Sequence, residues 1–350
     1  MTTLRDLVDD AHSEWGDAED NISRLVPFGY QLLDKSLTGI PIDTGAIFQI
    51  QGYSGSRKTS AVLNFLINQC LSGRLPQGYH IAYDTLESGM TIERIRDIIW
   101  AMVATKYLIY WHWNETQERD IVRMLSMGLP DKPVATLMLD VADKNGHRET
   151  ILKPEFFRYG RRTQRQMEAI QMAGNVIRNW PIMVFGSSGH PDPEIRRQRT
   201  TPTWFLGPSI KRWQTLYEEN NVREIVIDHV TEYVFDDNPT DFEIQRRVVP
   251  AVAGWQKATL GVAWMIIQVG VTSARESRRE GVDMTATGGN IGERESTVTW
   301  TVMYDQDDPY FVRIKRPNKS RMGMHPDLAI KVEPNSGAFI GQATLWGNRL

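Results

Sequence analysis

Apolar positions along this chain fall into two kinds of run, and the two kinds alternate. Short, nearly continuous apolar stretches at 47–51, 79–84, 181–185, 224–227, 262–268, 298–303, 311–314 and 328–332 read as strands. Between them, apolar residues at helical spacing predict helices over 60–71, 91–107, 163–179, 210–220 and 242–259. In the first of these, positions 62, 63, 66, 67 and 70 share one side. Strands apolar on both faces, separated by helices, predict an α/β fold with a mostly parallel central sheet flanked by helices.

Two stretches break the rhythm. Residues 114–153 carry a helical pattern at 115–125, apolar runs at 134–141 and 147–152, and Asn145-Gly146 between those runs. An Asn-Gly in that position predicts a tight hairpin turn, so the stretch reads as an inserted helix and β-hairpin. Residues 1–25 are acidic, with Leu4, Leu7, Val8, Ala11 and Trp15 at helical spacing and a polar linker at 16–21. A helix this short is marginal alone and docks either on its own domain or on a neighbouring subunit. The expected organisation is a linker-like segment at 1–25 and one domain at 26–350 that holds the insertion.

Composition narrows the class. The 40 Lys and Arg against 43 Asp and Glu exclude an overall basic field, so any nucleic-acid contact must be local. Cys70 is the single cysteine, which excludes an internal disulfide framework and suits a reducing compartment. No apolar run approaches a membrane span, and no signal-peptide core opens the chain. A cytoplasmic protein with no membrane partner is expected.

Chemistry enters at Gly52-Tyr53-Ser54-Gly55-Ser56-Arg57-Lys58-Thr59, followed by Ser60. This is the phosphate-loop pattern G-x-x-x-x-G-K-[ST] with Arg57 in place of the second glycine. It lies between a predicted strand and a predicted helix, where backbone N–H groups and a helix N-terminus converge on an anion. Lys58 would meet the β and γ phosphates of ATP, and the Thr59 hydroxyl would hold Mg²⁺. Arg57 puts a bulky side chain, and the strain of a non-glycine backbone, where glycine is usual.

Four later segments extend this. Glu87 follows a strand end, where a carboxylate can take a proton from attacking water; a surface glutamate is the plainer alternative. Asp228 closes an apolar strand and can hold Mg²⁺ through water beside Thr59. Gln268 ends another strand, placed to sense the γ-phosphate. The long polar loop at 271–290 holds Arg275, Arg278, Arg279 and Gly288-Gly289-Asn290. It either tracks a nucleic-acid backbone or is simply solvated. Lys319 and Arg321, two residues apart, can stabilise phosphoryl charge across a subunit interface and are otherwise solvated.

Together these segments resemble the RecA-like ATPase core, and more particularly the C-terminal motor of DnaB-type replicative hexameric helicases. Val26 to Tyr30, Leu33-Asp34 and Leu37-Thr38-Gly39 are similar to that family's opening T-G-x-x-x-L-D…G-G stretch. Thr85-Leu86-Glu87-Ser88 resembles S-L-E-M, and Trp180 to Val184 the A-P-I-y-I strand. Ile227-Asp228-His229-Val230 resembles V-I-D-Y-L, residues 242–268 the helix and strand that end in S-Q, and Lys319 to Gly323 the K-x-R-x-G segment. The resemblance spans residues 20–340 apart from 114–153. It implies an ATP- and Mg²⁺-dependent helicase, a ring-shaped homo-oligomer (a hexamer) on single-stranded DNA, working in replication in a bacterial or phage-infected cell. It also implies that Glu87 is the catalytic base and Arg321 the finger inserted into the neighbour's site. The 4–15 helix stands where the family has its linker helix, and on this resemblance no primase-interacting domain is expected among these residues. Thr287-Gly288-Gly289-Asn290 instead resembles the DNA-binding loop of RecA recombinases, which keeps a filament-forming recombinase open as an alternative. The substituted loop keeps open a third, a non-hydrolysing nucleotide-binding mediator.

Overall fold

The computed structural model describes residues 25–113, 164–269, 294–304, 309–317, 319–341 and 343–346. The predicted 4–15 helix, the 114–153 insertion and the loop residues Arg275, Arg278, Arg279, Gly288, Gly289 and Asn290 lie outside the described residues.

Numbered in chain order, the described elements begin with β1 (Leu25–Val26), α1 (Gln31–Leu37), β2 (Ile40–Pro41), β3 (Ala46–Gly52) and α2 (Lys58–Ser72). Next come β4 (His80–Thr85), α3 (Ile92–Trp113), α4 (Gln164–Ile177), β5 (Ile182–Phe185), α5 (Pro193–Arg199) and α6 (Leu206–Asn220). The chain continues through β6 (Val222–Asp228), α7 (Asp241–Thr259), β7 (Val262–Gln268), β8 (Val298–Tyr304) and β9 (Phe311–Ile314). It closes with β10 (Lys319–Ser320), β11 (Leu328–Lys331) and β12 (Thr344–Leu345).

Nearly all strands belong to one sheet of order β12-β11-β9-β8-β3-β7-β6-β4-β5, with β10 also on β8. The six strands from β8 to β5 are parallel. The β9, β10, β11 and β12 pairings are antiparallel. The eight strands and five helices predicted between residues 47 and 332 outside the insertion are present among these elements, and the mostly parallel sheet flanked by helices is the architecture expected. Two helices run further than their spacing showed: α3 reaches Trp113, and α6 begins at Leu206.

β3 lies between β7 and β8, and all seven of its residues are buried. Phe48 and Ile50 face the core shared with α2, α3 and α4, while Ile47 faces the one shared with α6 and α7. Burial on both faces explains why the strand reads as a continuous apolar run. Phe48 stacks between Trp264 and Trp300, at centroid distances of 4.4 and 5.6 Å, and Phe65 of α2 lies 5.7 Å from Trp264. These rings seat the helix that carries the phosphate loop. Aromatic contacts of this kind add stabilisation beyond the area they bury.

Candidate functional site

Because the strands are parallel, β3, β7, β6 and β4 end side by side. Gly52 pairs with Gln268, Asp228 with Ile266, and Thr85 with Asp228. The carboxyl edge of such a sheet is where α/β folds bind ligands. It gathers the loop after β3, Gln268 at the end of β7, Asp228 at the end of β6, and Glu87 two residues past β4.

The loop geometry follows from its glycines and one exception. A Cβ on Gly52 would come within 2.4 Å of Ser56 Oγ and 2.5 Å of the Val302 carbonyl, so only glycine fits. Gly55 has φ +78°, in the left-handed region that glycine enters without strain. Arg57 adopts the same region, with φ 69°, and serves as N-cap of α2 without a side-chain cap bond. Its guanidinium turns to the Pro334 carbonyl at 2.7 Å, so the expected strain is present while the side chain is drawn off the loop. The N–H groups of the first turn of α2 have no helical acceptor, which suits an anion.

Lys58 is buried and donates to the Tyr53 carbonyl at 2.8 Å. Burial lowers its pKa to about 8, while Asp228 and Glu87 act to hold it up. Thr59 Oγ1 lies 2.9 and 3.1 Å from the two oxygens of Asp228. The Tyr83 hydroxyl donates to Asp228 Oδ2 at 2.6 Å. Burial raises the Asp228 pKa to about 6, and Tyr83, Thr59 and Lys58 oppose that rise while Glu87 adds to it. Glu87 is exposed, on a loop fastened by the Leu86 N–H to the Asp228 carbonyl at 2.7 Å. Gln268 is half-buried, beside the Val269 N–H that donates to the Gly52 carbonyl at 2.9 Å.

These residues suit a magnesium–nucleotide. A hydroxyl and a buried carboxylate meet beside a buried cation, at an uncapped helix N-terminus. Among the described residues no group of three or more His, Cys, Asp or Glu forms a metal cage. Thr59 and Asp228 are the residues that would hold a divalent ion here, with a nucleotide bound alongside.

Lys319 and Arg321 lie elsewhere. Both donate to the Arg294 carbonyl, at 2.6 and 2.9 Å. The Arg321 N–H donates to Thr297, whose own N–H donates to Ile47, five residues before Gly52. At about 3.3 Å per residue, Ile47 lies about 16 Å of strand before Gly52, and Arg321 sits level with Ile47.

Three neighbours were not singled out from sequence. Tyr83 holds Asp228, and alternation alone marks it only as a core aromatic. His229, whose Nδ1 lies 3.0 Å from Thr231 Oγ1, has a pKa lowered by burial and by the charge of Lys58 to about 4. Its position next to Asp228 was the available signal. Tyr304 carries the Arg57 guanidinium 4.7 Å above its ring, a contact with no local signature.

This sheet and loop form a RecA-like fold. Among solved structures, the chain is similar to one described as an "ATPase Domain", with TM-score 0.66 and 12% identity over 97% of this chain and 99% of that one. It is likewise similar to a DnaB-like replicative helicase solved for its interactions with primase, with TM-score 0.64 and 13% identity over 97% of this chain and 68% of that one. No protein-family model and no curated protein matches the chain. No helix among the described residues is long and apolar enough to cross a membrane.

Proposed function

We propose that this protein is an ATP-driven motor on single-stranded DNA, a helicase assembled head-to-tail as a ring. The juxtaposition of Thr59, Asp228 and Lys58 at the carboxyl edge of the sheet carries the reading. Lys58 and the N-terminus of α2 bind the β and γ phosphates. Thr59 and Asp228 would hold Mg²⁺, which when bound would neutralise charge on the phosphate oxygens. Glu87 takes the proton of the attacking water. Gln268, at the rim of the loop, senses the γ-phosphate and passes its loss to the 271–290 segment. There Arg275, Arg278, Arg279 and Gly288 to Asn290 contact the DNA backbone. Arg321 with Lys319 acts in trans, because it is set back from the site of its own chain. The likeness to that ATPase domain and to the DnaB-like helicase supports the motor reading through the fold.

ATP hydrolysis measured with and without single-stranded DNA, and unwinding of a forked duplex, test this. Stimulated turnover with unwinding is expected. A helical filament with strand exchange would instead establish the recombinase reading, which the Thr287-Gly288-Gly289-Asn290 motif favours. Nucleotide binding without turnover would sink the motor altogether.

A further inference from the structure

The proposed chemistry makes no use of Arg57, yet this side chain has specific partners of its own. Its Nη2 donates to the Pro334 carbonyl at 2.7 Å and reaches the Tyr304 hydroxyl at 3.4 Å. Its planar head lies 4.7 Å from the centroid of the Tyr304 ring. Tyr304 is itself fastened to the loop, since its N–H donates to the Tyr53 hydroxyl at 3.2 Å and that hydroxyl donates to the Tyr304 carbonyl.

The other anchor is equally fixed. The Glu333 carboxylate accepts from the Asn335 and Ser336 N–H groups and closes the turn after β11. Asn64 of α2 donates to the Gly337 carbonyl at 3.0 Å and accepts from the Phe339 N–H at 2.8 Å. Buried Lys106 of α3 donates to the Phe339 carbonyl at 2.7 Å. A Cβ on Gly337 would come within 2.9 Å of Ser60 Oγ and 3.3 Å of Arg57 Nη1, so the turn lies directly against the loop.

We propose that Arg57 is a positioning residue that clasps the phosphate loop to the 333–339 turn and to Tyr304. The clasp holds the loop in the left-handed conformation that glycine adopts freely. A side chain in that conformation is disfavoured, so it persists only when its surroundings over-determine it. Two anchors of different chemistry, a carbonyl and an aromatic face, meet the two capacities of a guanidinium. The substitution of glycine is thus compensated at the site itself.

The clasp predicts an order that neither crowding nor indifference would produce. Arg57→Ala loses the anchor and keeps the strained backbone. Arg57→Gly loses the anchor and relieves the strain. Arg57→Lys keeps the charge without the planar face. Affinity for a fluorescent ATP analogue with Mg²⁺ should fall about tenfold in Arg57→Ala and less in the other two. This arm rests on the nucleotide-binding reading. Hydrogen–deuterium exchange of the nucleotide-free protein does not. Exchange in peptides covering 333–339 should quicken in Arg57→Ala and Arg57→Gly, with peptides from α7 unchanged. Tyr304→Leu should reproduce the effect, and combining it with Arg57→Ala should add little. Arg57→Gly binding tighter than wild type, or Arg57→Ala binding equally, would overturn the clasp, as would unaltered exchange at 333–339. If wild type binds no nucleotide, the motor reading fails and exchange alone decides the clasp.

Discussion

Lys58 lies within electrostatic reach of two carboxylates, and their charges keep it a cation despite its burial. Asp228, at the floor, is buried and hydrogen-bonded to Thr59 and Tyr83. Glu87, at the rim, is exposed. Glu87→Gln preserves shape while removing the base, so turnover should fall by about 10²–10⁴-fold with nucleotide binding retained. Steady-state rates alongside titration with a fluorescent ATP analogue check this. Parallel loss of binding would mean that Glu87 serves Lys58 rather than water. That Lys58, Thr59, Glu87 and Asp228 gather at one sheet edge was legible in the sequence, the first two from the phosphate-loop pattern and the last two from the strand ends they follow. Tyr83 was not, since its hydroxyl finds a carboxylate 145 residues away. The fate of Arg57 was half legible. The strain follows from its residue type, but no local rule shows where a long side chain turns.

The longer strands and helices announced themselves through periodicity, and the shortest elements did not. Seven residues give α1 too few turns for a pattern. It forms because Asp34 accepts the Phe28 and Gly29 N–H groups and because Leu33 and Leu37 are buried. α7 keeps Pro250 inside it, started by the reciprocal capping box of Thr240 and Glu243. On α3, Lys106 joins an element to its neighbour at a measurable cost. Burial lowers its pKa from 10.5 to about 7. Between those values the folded chain binds fewer protons than the unfolded one. Its contribution is therefore fully present above about pH 10.5 and lost as pH falls to about 7. Wild-type stability from urea denaturation should rise between about pH 7 and 9.5 more steeply than that of Lys106→Met. The difference should approach about 1.4 kcal/mol per pH unit, the value for one proton. Equal slopes would show that Lys106 stays charged in the fold.

At the scale of the whole molecule, the parallel arrangement followed from alternating strands and helices, but the order of the strands did not. Nothing local tells β3 to lie between β7 and β8, or places the β9–β12 lobe beside β8. That order decides which residues can share a site. It brings Gly52, Gln268 and Asp228 to adjacent strand ends and leaves Arg321 level with Ile47, toward the opposite edge of the sheet. On the proposed reading, each chain would hold the binding half of a site at one edge and bring Lys319 and Arg321 to a neighbour's site from another. Such an arrangement suits head-to-tail assembly, in which each interface joins two different surfaces. Lys58→Ala and Arg321→Ala proteins, each nearly inactive alone, should therefore complement when mixed before assembly. Random assembly at equal ratio pairs an intact loop with an intact Arg321 at about one interface in four, so turnover should recover to at most about a quarter of wild type. Mixing that restores nothing, while both variants still assemble, would mean that Arg321 acts within its own chain or not at all.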